Sequence, residues 1–297
     1  MRLKLTFLLL LSLCLNGFSN EWEPLLSPNL EKWEVFMGVP HKSVTLPDHI
    51  PLEKDKNNKL KPLGLNNDPK NVFSTYQHNN ETILKISGEI YGGLTTKSEY
   101  SNYHFKCDFR WGTKKWAPRL NKKRDSGILF HAKGPHGKFW NVWMQSLECQ
   151  VQEDDCGDFI ALSGTRVDIF TTKQENSRRS QYNPKGTLQT FSGYVDHGPS
   201  TEYENGKWNT IEIITYGQTS IFIVNSIPNM VLLNTTYKNN KGEITPLKEG
   251  LLQIQSEGAE IEYKSMEIKP IQEIPLSLKY LLKKSITAST VQTTTID

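Results

Sequence analysis

Long apolar runs, basic stripes, helical periodicity and cysteine are all scarce in this sequence. Beyond the first twenty residues no stretch approaches the roughly 20 apolar residues of a membrane span, so no transmembrane segment is expected. No block of Lys or Arg stands out, and a net charge of +3 is small for 297 residues. Nucleic acid is therefore not an expected partner. No internal repeat is visible. Of four cysteines, Cys107, Cys149 and Cys156 lie beyond the first twenty residues, and an odd number allows at most one bridge. Cys149 and Cys156 are the nearest pair in sequence, yet Cys107 and Cys149 hold apolar-facing positions of strand patterns, which suits buried thiols. A chain this long can bury about three-quarters of its unfolded surface in one core, so stability requires neither disulfide nor metal.

The first twenty residues form a targeting pattern. Arg2 and Lys4 precede an apolar run from Leu5 to Leu15, and Gly17-Phe18-Ser19 places small residues where a signal peptidase reads. Residues 1–19 are thus expected to be a signal peptide, and the protein to be exported to a periplasm or the extracellular space. Cys14 raises the question of a lipid anchor, but Leu13 before it is too large for the usual lipobox, which favours a soluble form.

The rest is aromatic-rich, with seven Trp, eleven Tyr and twelve Phe, and it alternates with a period of two. Tyr103, Phe105, Cys107, Phe109 and Trp111 interleave with His104, Lys106, Asp108 and Arg110. Similar runs separated by Gly, Asn, Pro and Lys clusters have the spacing expected of an all-β sandwich or jelly roll over residues 20–270. Two polar stretches, roughly 40–69 and 174–204, read as surface loops, and a loop as long as the second is usually functional. Residues 271–297 read as a tail, with a short helix near 276–284 and disorder beyond.

The chemistry concentrates between Asp125 and Glu153. In the strand 146–152, Ser146, Glu148, Gln150 and Gln152 share one face, while Leu147, Cys149 and Val151 share the other. Glu and Gln on a sheet face mark open solvent or the floor of a polar cleft. The strand before it puts Gly127, Leu129 and His131 on one side, so His131 and Asp125 are expected to converge on Glu148. Trp140 and Trp143 lie on the intervening loop, where an indole can stack on the C–H face of a sugar. His197, in the polar stretch 174–204, is placed to close over a ligand.

Seven segments together resemble the 3-keto-disaccharide hydrolase domain. They are Trp33-Glu34-Val35, Gly92-Gly93-Leu94-Thr95-Thr96, the run Tyr103 to Trp111, Asp125-Ser126-Gly127-Ile128, Leu147-Glu148-Cys149-Gln150 with Gly157-Asp158, Gly206-Lys207-Trp208-Asn209, and Gly250 to Gly258. They follow that family's order from about Leu25 to Pro270. The resemblance implies a concanavalin-like jelly roll of two antiparallel sheets, with the sugar site on the concave face. Two departures stand out: the family often has Asn where this chain has Asp125, and a hairpin reads Asn225-Ser226 instead of Asn-Gly.

A conventional retaining glycosidase needs two carboxylates about 5 Å apart. Laminarinase-like enzymes on similar sheets space them four residues apart on one strand; at that offset from Glu148 stands Gln152, which is no acid. A 3-keto sugar offers another route, because the ketone acidifies the C2 proton and the resulting anion expels the C1 substituent. That route needs a base, for which Glu148 and His131 are candidates, and an acid for the leaving group. It also needs an electrophile on the ketone, for which Arg110, groups linked to Asp125 or a divalent metal ion would serve. No ligand spacing is diagnostic of that metal. The candidate catalytic set is Glu148, His131 and Asp125, and the candidate sugar-binding set is Arg110, Trp140, Trp143, Gln150, Gln152 and His197. The competing expectation is a lectin-like module that binds sugar without cleaving it.

Overall fold

The computed structural model describes residues 21–175 and 177–282. The expected signal segment and the distal tail lie outside the described residues. Two large sheets make a concanavalin-like jelly-roll sandwich. The nine-stranded sheet runs, strand beside strand, through Tyr194–Val195, Phe159–Leu162, Gln145–Gln152, Asp125–Lys133, Glu249–Ser256, Gly92–Thr96, Trp33–Met37 and Gly64–Leu65. The other sheet is centred on the long strands Tyr103–Lys115 and Ala259–Pro270, with Asn209–Tyr216, Thr219–Val224 and Ile227–Lys238 on one side of them. Pairing is antiparallel throughout this framework.

Alternation builds the core. Along Tyr103–Lys115 the odd positions from Tyr103 to Trp111 are buried and the even ones half-exposed. They meet Leu147, Cys149 and Val151 from the facing sheet in one hydrophobic cluster. Each fully buried apolar side chain of this kind contributes about 1.5–3 kcal/mol. Cys107, Cys149 and Cys156 are all free and buried, and burial pushes each thiol well above its usual pKa.

The stretch 174–204 is more ordered than its composition suggests. It contains Ser180–Tyr182, Thr187–Phe191 and Tyr194–Val195, which extend the edges of both sheets. These strands are short and polar because they are exposed edges, so period-two alternation is weak there. Leu276–Leu282 forms a 3-10 helix.

Candidate active site

The outer face of the nine-stranded sheet carries a small open cleft over the strand Gln145–Gln152. Glu148 and Gln150 point into it from that strand, opposite the core-facing Leu147, Cys149 and Val151. Asp125 faces Gln152 across the strand pair, and Gln152 Nε2 donates to Asp125 Oδ2 at 2.6 Å. Gly127 lies opposite Gln150. A Cβ on Gly127 would sit 2.2 Å from Glu148 Oε1 and 2.5 Å from Gln255 Oε1. Only glycine leaves room there for those two side chains.

Residues the sequence pattern did not single out complete the buried end. Arg119, on the loop between Tyr103–Lys115 and Asp125–Lys133, forms ion pairs with Asp125 and with Glu257. Gln255 comes from the end of Glu249–Ser256 and Glu257 is the residue just beyond it. Three acids, Asp125, Glu148 and Glu257, therefore share one guanidinium, all at 5 % exposure or less. One guanidinium balances one carboxylate, and burial penalises the rest. Burial, reinforced by Glu257, pushes Asp125 up to about 8. Burial also raises Glu257, and it holds Glu148 well above the usual carboxylate range, with Glu257 and Asp125 adding to the effect. Three buried polar atoms of this group have no partner: Arg119 Nε, Asp125 Oδ1 and Gln255 Oε1. Buried polar groups are almost always satisfied, so unpaired ones at a cleft mark places for a ligand.

The other end is aromatic. A tight turn over Phe139–Trp143 places Trp140 and Asn141 at positive φ (52° and 59°). It sends the two indoles in different directions. Trp140 is 65 % exposed and stacks on Phe139 at 4.9 Å. Trp143 is buried, with Nε1 donating to the Gly92 carbonyl at 3.1 Å. From the stretch 174–204, Tyr194 and Arg179 form the facing wall, the guanidinium lying 4.4 Å from the phenol ring centre. Arg179 also approaches Asp158 and Asp196 at 3.8 and 3.4 Å. Burial raises Asp158 to about 7, against the His197 backbone N–H that donates to its Oδ1 at 2.7 Å.

Three expectations fail. His131 is the extra residue of a β-bulge: three steps from Phe130 to Lys133 oppose two from Leu147 to Gln145, and the other neighbouring strand shows the same offset. With φ at 49° it turns inward instead of onto the cleft. Its ring packs on Phe130 and Tyr103, 3.3 Å from Thr215 Oγ1. Burial, aided by Lys133, lowers its pKa to about 3. Arg110 lies on the outer face of the other sheet, paired with Glu262 at 2.7 Å and stacked on Trp208. It belongs to the opposite side of the sandwich from the cleft. His197 is half-buried behind Asp158, its Nδ1 2.9 Å from the Gly198 carbonyl, and it does not line the cleft.

The donor set does not fit a divalent ion. Asp125 and Glu257 commit oxygens to Arg119, His131 has left the cleft, and among the described residues no group of three His, Cys, Asp or Glu is gathered as ligands.

Residues 21–269 match the family described as 3-keto-alpha-glucoside-1,2-lyase-like domain. The chain belongs to this family. No curated protein matches it. Among solved structures it is similar to a candidate glycosyl hydrolase from Parabacteroides distasonis, at 16 % identity and a TM-score of 0.45, covering 85 % of this chain and all of that one. It is also similar to the carbohydrate-binding module CBM66 of Bacillus subtilis, at 8 % identity and a TM-score of 0.40, covering 66 % of this chain and 91 % of that one.

Proposed function

We propose that this protein cleaves the C1–O bond of 3-keto-glycosides by elimination, with water addition at C1 completing a net hydrolysis. The observation that carries the reading is the unpaired Nε donor of Arg119 beside the unpaired acceptors Asp125 Oδ1 and Gln255 Oε1. A 3-keto sugar offers the complement: a ketone oxygen flanked by the C2 and C4 hydroxyls. An unoxidised sugar has a hydroxyl in the ketone's place.

In this reading Arg119 donates to the ketone oxygen and stabilises the enolate that forms there. Asp125 Oδ1 takes the C2 proton; its other oxygen is held by Arg119 and Gln152. The C2–H electron pair moves into the C2–C3 bond and onto the ketone oxygen. On return it re-forms the ketone, makes the C1–C2 double bond and breaks C1–O. Glu148, neutral because it is buried among acids, gives its proton to the departing oxygen. The product is a 2-hydroxy enone, to which water adds at C1. Trp140, with its outer face open, holds the leaving group by stacking. Mature protein is to be exported and to work outside the cytoplasm.

The test is incubation with 3-keto-lactose and 3-keto-trehalose beside the unoxidised sugars, following enone absorbance and released sugar. Release from the keto forms alone is expected. Binding of either sugar without release identifies the lectin-like alternative, which the exposed Trp140 also suits.

A further inference from the structure

The lining of the cleft is unbalanced in charge. Four carboxyl groups, Asp125, Glu148, Asp158 and Glu257, face the guanidinium groups of Arg119 and Arg179. Arg179 is half-exposed and is shared with Asp196, which is not part of the lining. Lys122 acts on Glu257 only through space. At the buried end, then, three acids share a single cation. Two acceptor oxygens there, Asp125 Oδ1 and Gln255 Oε1, have no donor although both residues are only 1 % exposed. A ligand at this end must bring hydrogens on oxygen or nitrogen. Once these acids ionise, a further negative charge would be buried among carboxylates with a single cation at that end to meet it.

We infer that the cleft selects by charge: it takes glycosides whose sugar is neutral or carries an amine, prefers the amine, and rejects sugars bearing a carboxylate, sulfate or phosphate. The inference rests on reading the cleft as the sugar site, and adds to it the class of sugar. It also has a direction in pH. Asp125 faces Arg119, Gln152, Glu257 and Glu148, with Asp155 farther off. Asp158 faces His197 and Arg179, with Asp196 and Asp155 nearby. As pH rises these two acids ionise at about 8 and about 7, the cleft becomes more negative, and discrimination against anions deepens.

Three methyl 3-keto-glucosides differing only at C6, as hydroxymethyl, aminomethyl and carboxylate, provide the test at pH 6 and pH 8. At pH 8 the expected kcat/KM of the carboxylate is about 100-fold below that of the hydroxymethyl compound, with the aminomethyl compound the best of the three. At pH 6, where Asp125 and Asp158 hold their protons, the gap narrows. The Glu257→Gln variant, with its fold checked by circular dichroism, is expected to narrow the gap. A carboxylate substrate within about threefold of the neutral one at both pH values overturns the inference. Failure to cleave the neutral compound counts against the proposed function instead. Charge selection is then read from Trp140 fluorescence on titration with the three unoxidised methyl glucosides, and equal affinities overturn it.

Discussion

The two outer faces of this sandwich are built from the same residue types and behave differently. On the back face Arg110 pairs with Glu262, Lys106 with Glu267 and His104 with Glu212, each at 2.6–2.7 Å. Two tryptophans lie flat under cations there, Trp208 beneath Arg110 and Lys264, Trp22 beneath Lys106 and Lys269. On the cleft face Arg119 serves Asp125 and Glu257 at once, with Glu148 beside them. The back face gives each of these acids its own basic partner in reach of water, where such pairs contribute little to stability. The cleft buries more acid than cation, and burial raises the pKa of its carboxyl groups, that of Asp125 to about 8. Residue type alone does not make a reactive site; imbalance and burial do.

Removing the cation from each face should break the comparison most visibly. Arg119→Met leaves Asp125 and Glu257 buried without a cation, a change that costs about 3–5 kcal/mol. Denaturant melts are expected to show that loss at pH 8 and much less of it at pH 5, where the acids are neutral anyway. Equal losses at the two pH values would mean that the carboxyl groups are not the reason. Turnover of a 3-keto-glucoside by whatever variant remains folded should fall by about 10²–10³.

Stability against pH sharpens the same point. A carboxyl group whose folded pKa is raised binds a proton that the unfolded chain has already lost, so stability falls as pH rises between the two values. For Asp125 that window runs from the ordinary carboxylate value up to about 8, and for Asp158 up to about 7. His131 acts in the opposite sense: held neutral down to about 3, it costs stability as pH falls below the ordinary histidine range. Melting temperature should therefore decline from mildly acidic to mildly alkaline pH, and Asp125→Asn should flatten the decline. An unchanged slope in that variant would remove Asp125 from the protonated group. Turnover should run the other way, rising with pH to about 8 as Asp125 loses its proton.

Smaller effects separate the aromatic residues of the two faces. Trp140→Ala should raise KM by the equivalent of about 1–3 kcal/mol with little change in kcat or melting temperature, because the ring is exposed. Arg110→Gln should leave turnover unchanged and cost about 0–1 kcal/mol. A loss of turnover in Arg110→Gln would place chemistry on the wrong face.

Much of this layout was legible in the sequence. Alternation from Tyr103 to Trp111 and from Ser146 to Gln152 separates core from surface because strand side chains alternate. That alone puts Glu148 and Gln150 on one face, Cys149 on the other. The same rule misplaced His131, since a single bulge residue at positive φ reverses the parity and nothing in the local sequence marks it. It also could not tell which sheet a polar position faces, so Arg110 looked like a site residue when it lies on the back. Arg119 and Glu257 escaped notice because they sit on a loop and just past a strand end, 138 residues apart, where periodicity says nothing. The one available signal was Gly127, whose missing side chain makes the space that Glu148 and Gln255 occupy.

The central claim is that Glu148 is a buried, protonated acid that does chemistry and no structural work. The direct measurement is single-turnover cleavage of a 3-keto-glucoside by wild type and Glu148→Gln, with melting curves of both. Glutamine keeps the shape and the hydrogen-bonding capacity of the neutral acid but has no proton to give. Cleavage is predicted to slow by about 10²–10⁴ while the melting temperature does not fall. At neutral pH it rises if it moves, because glutamine has no proton that burial must hold in place. Wild-type cleavage by the variant, or a large drop in its melting temperature, would contradict the account.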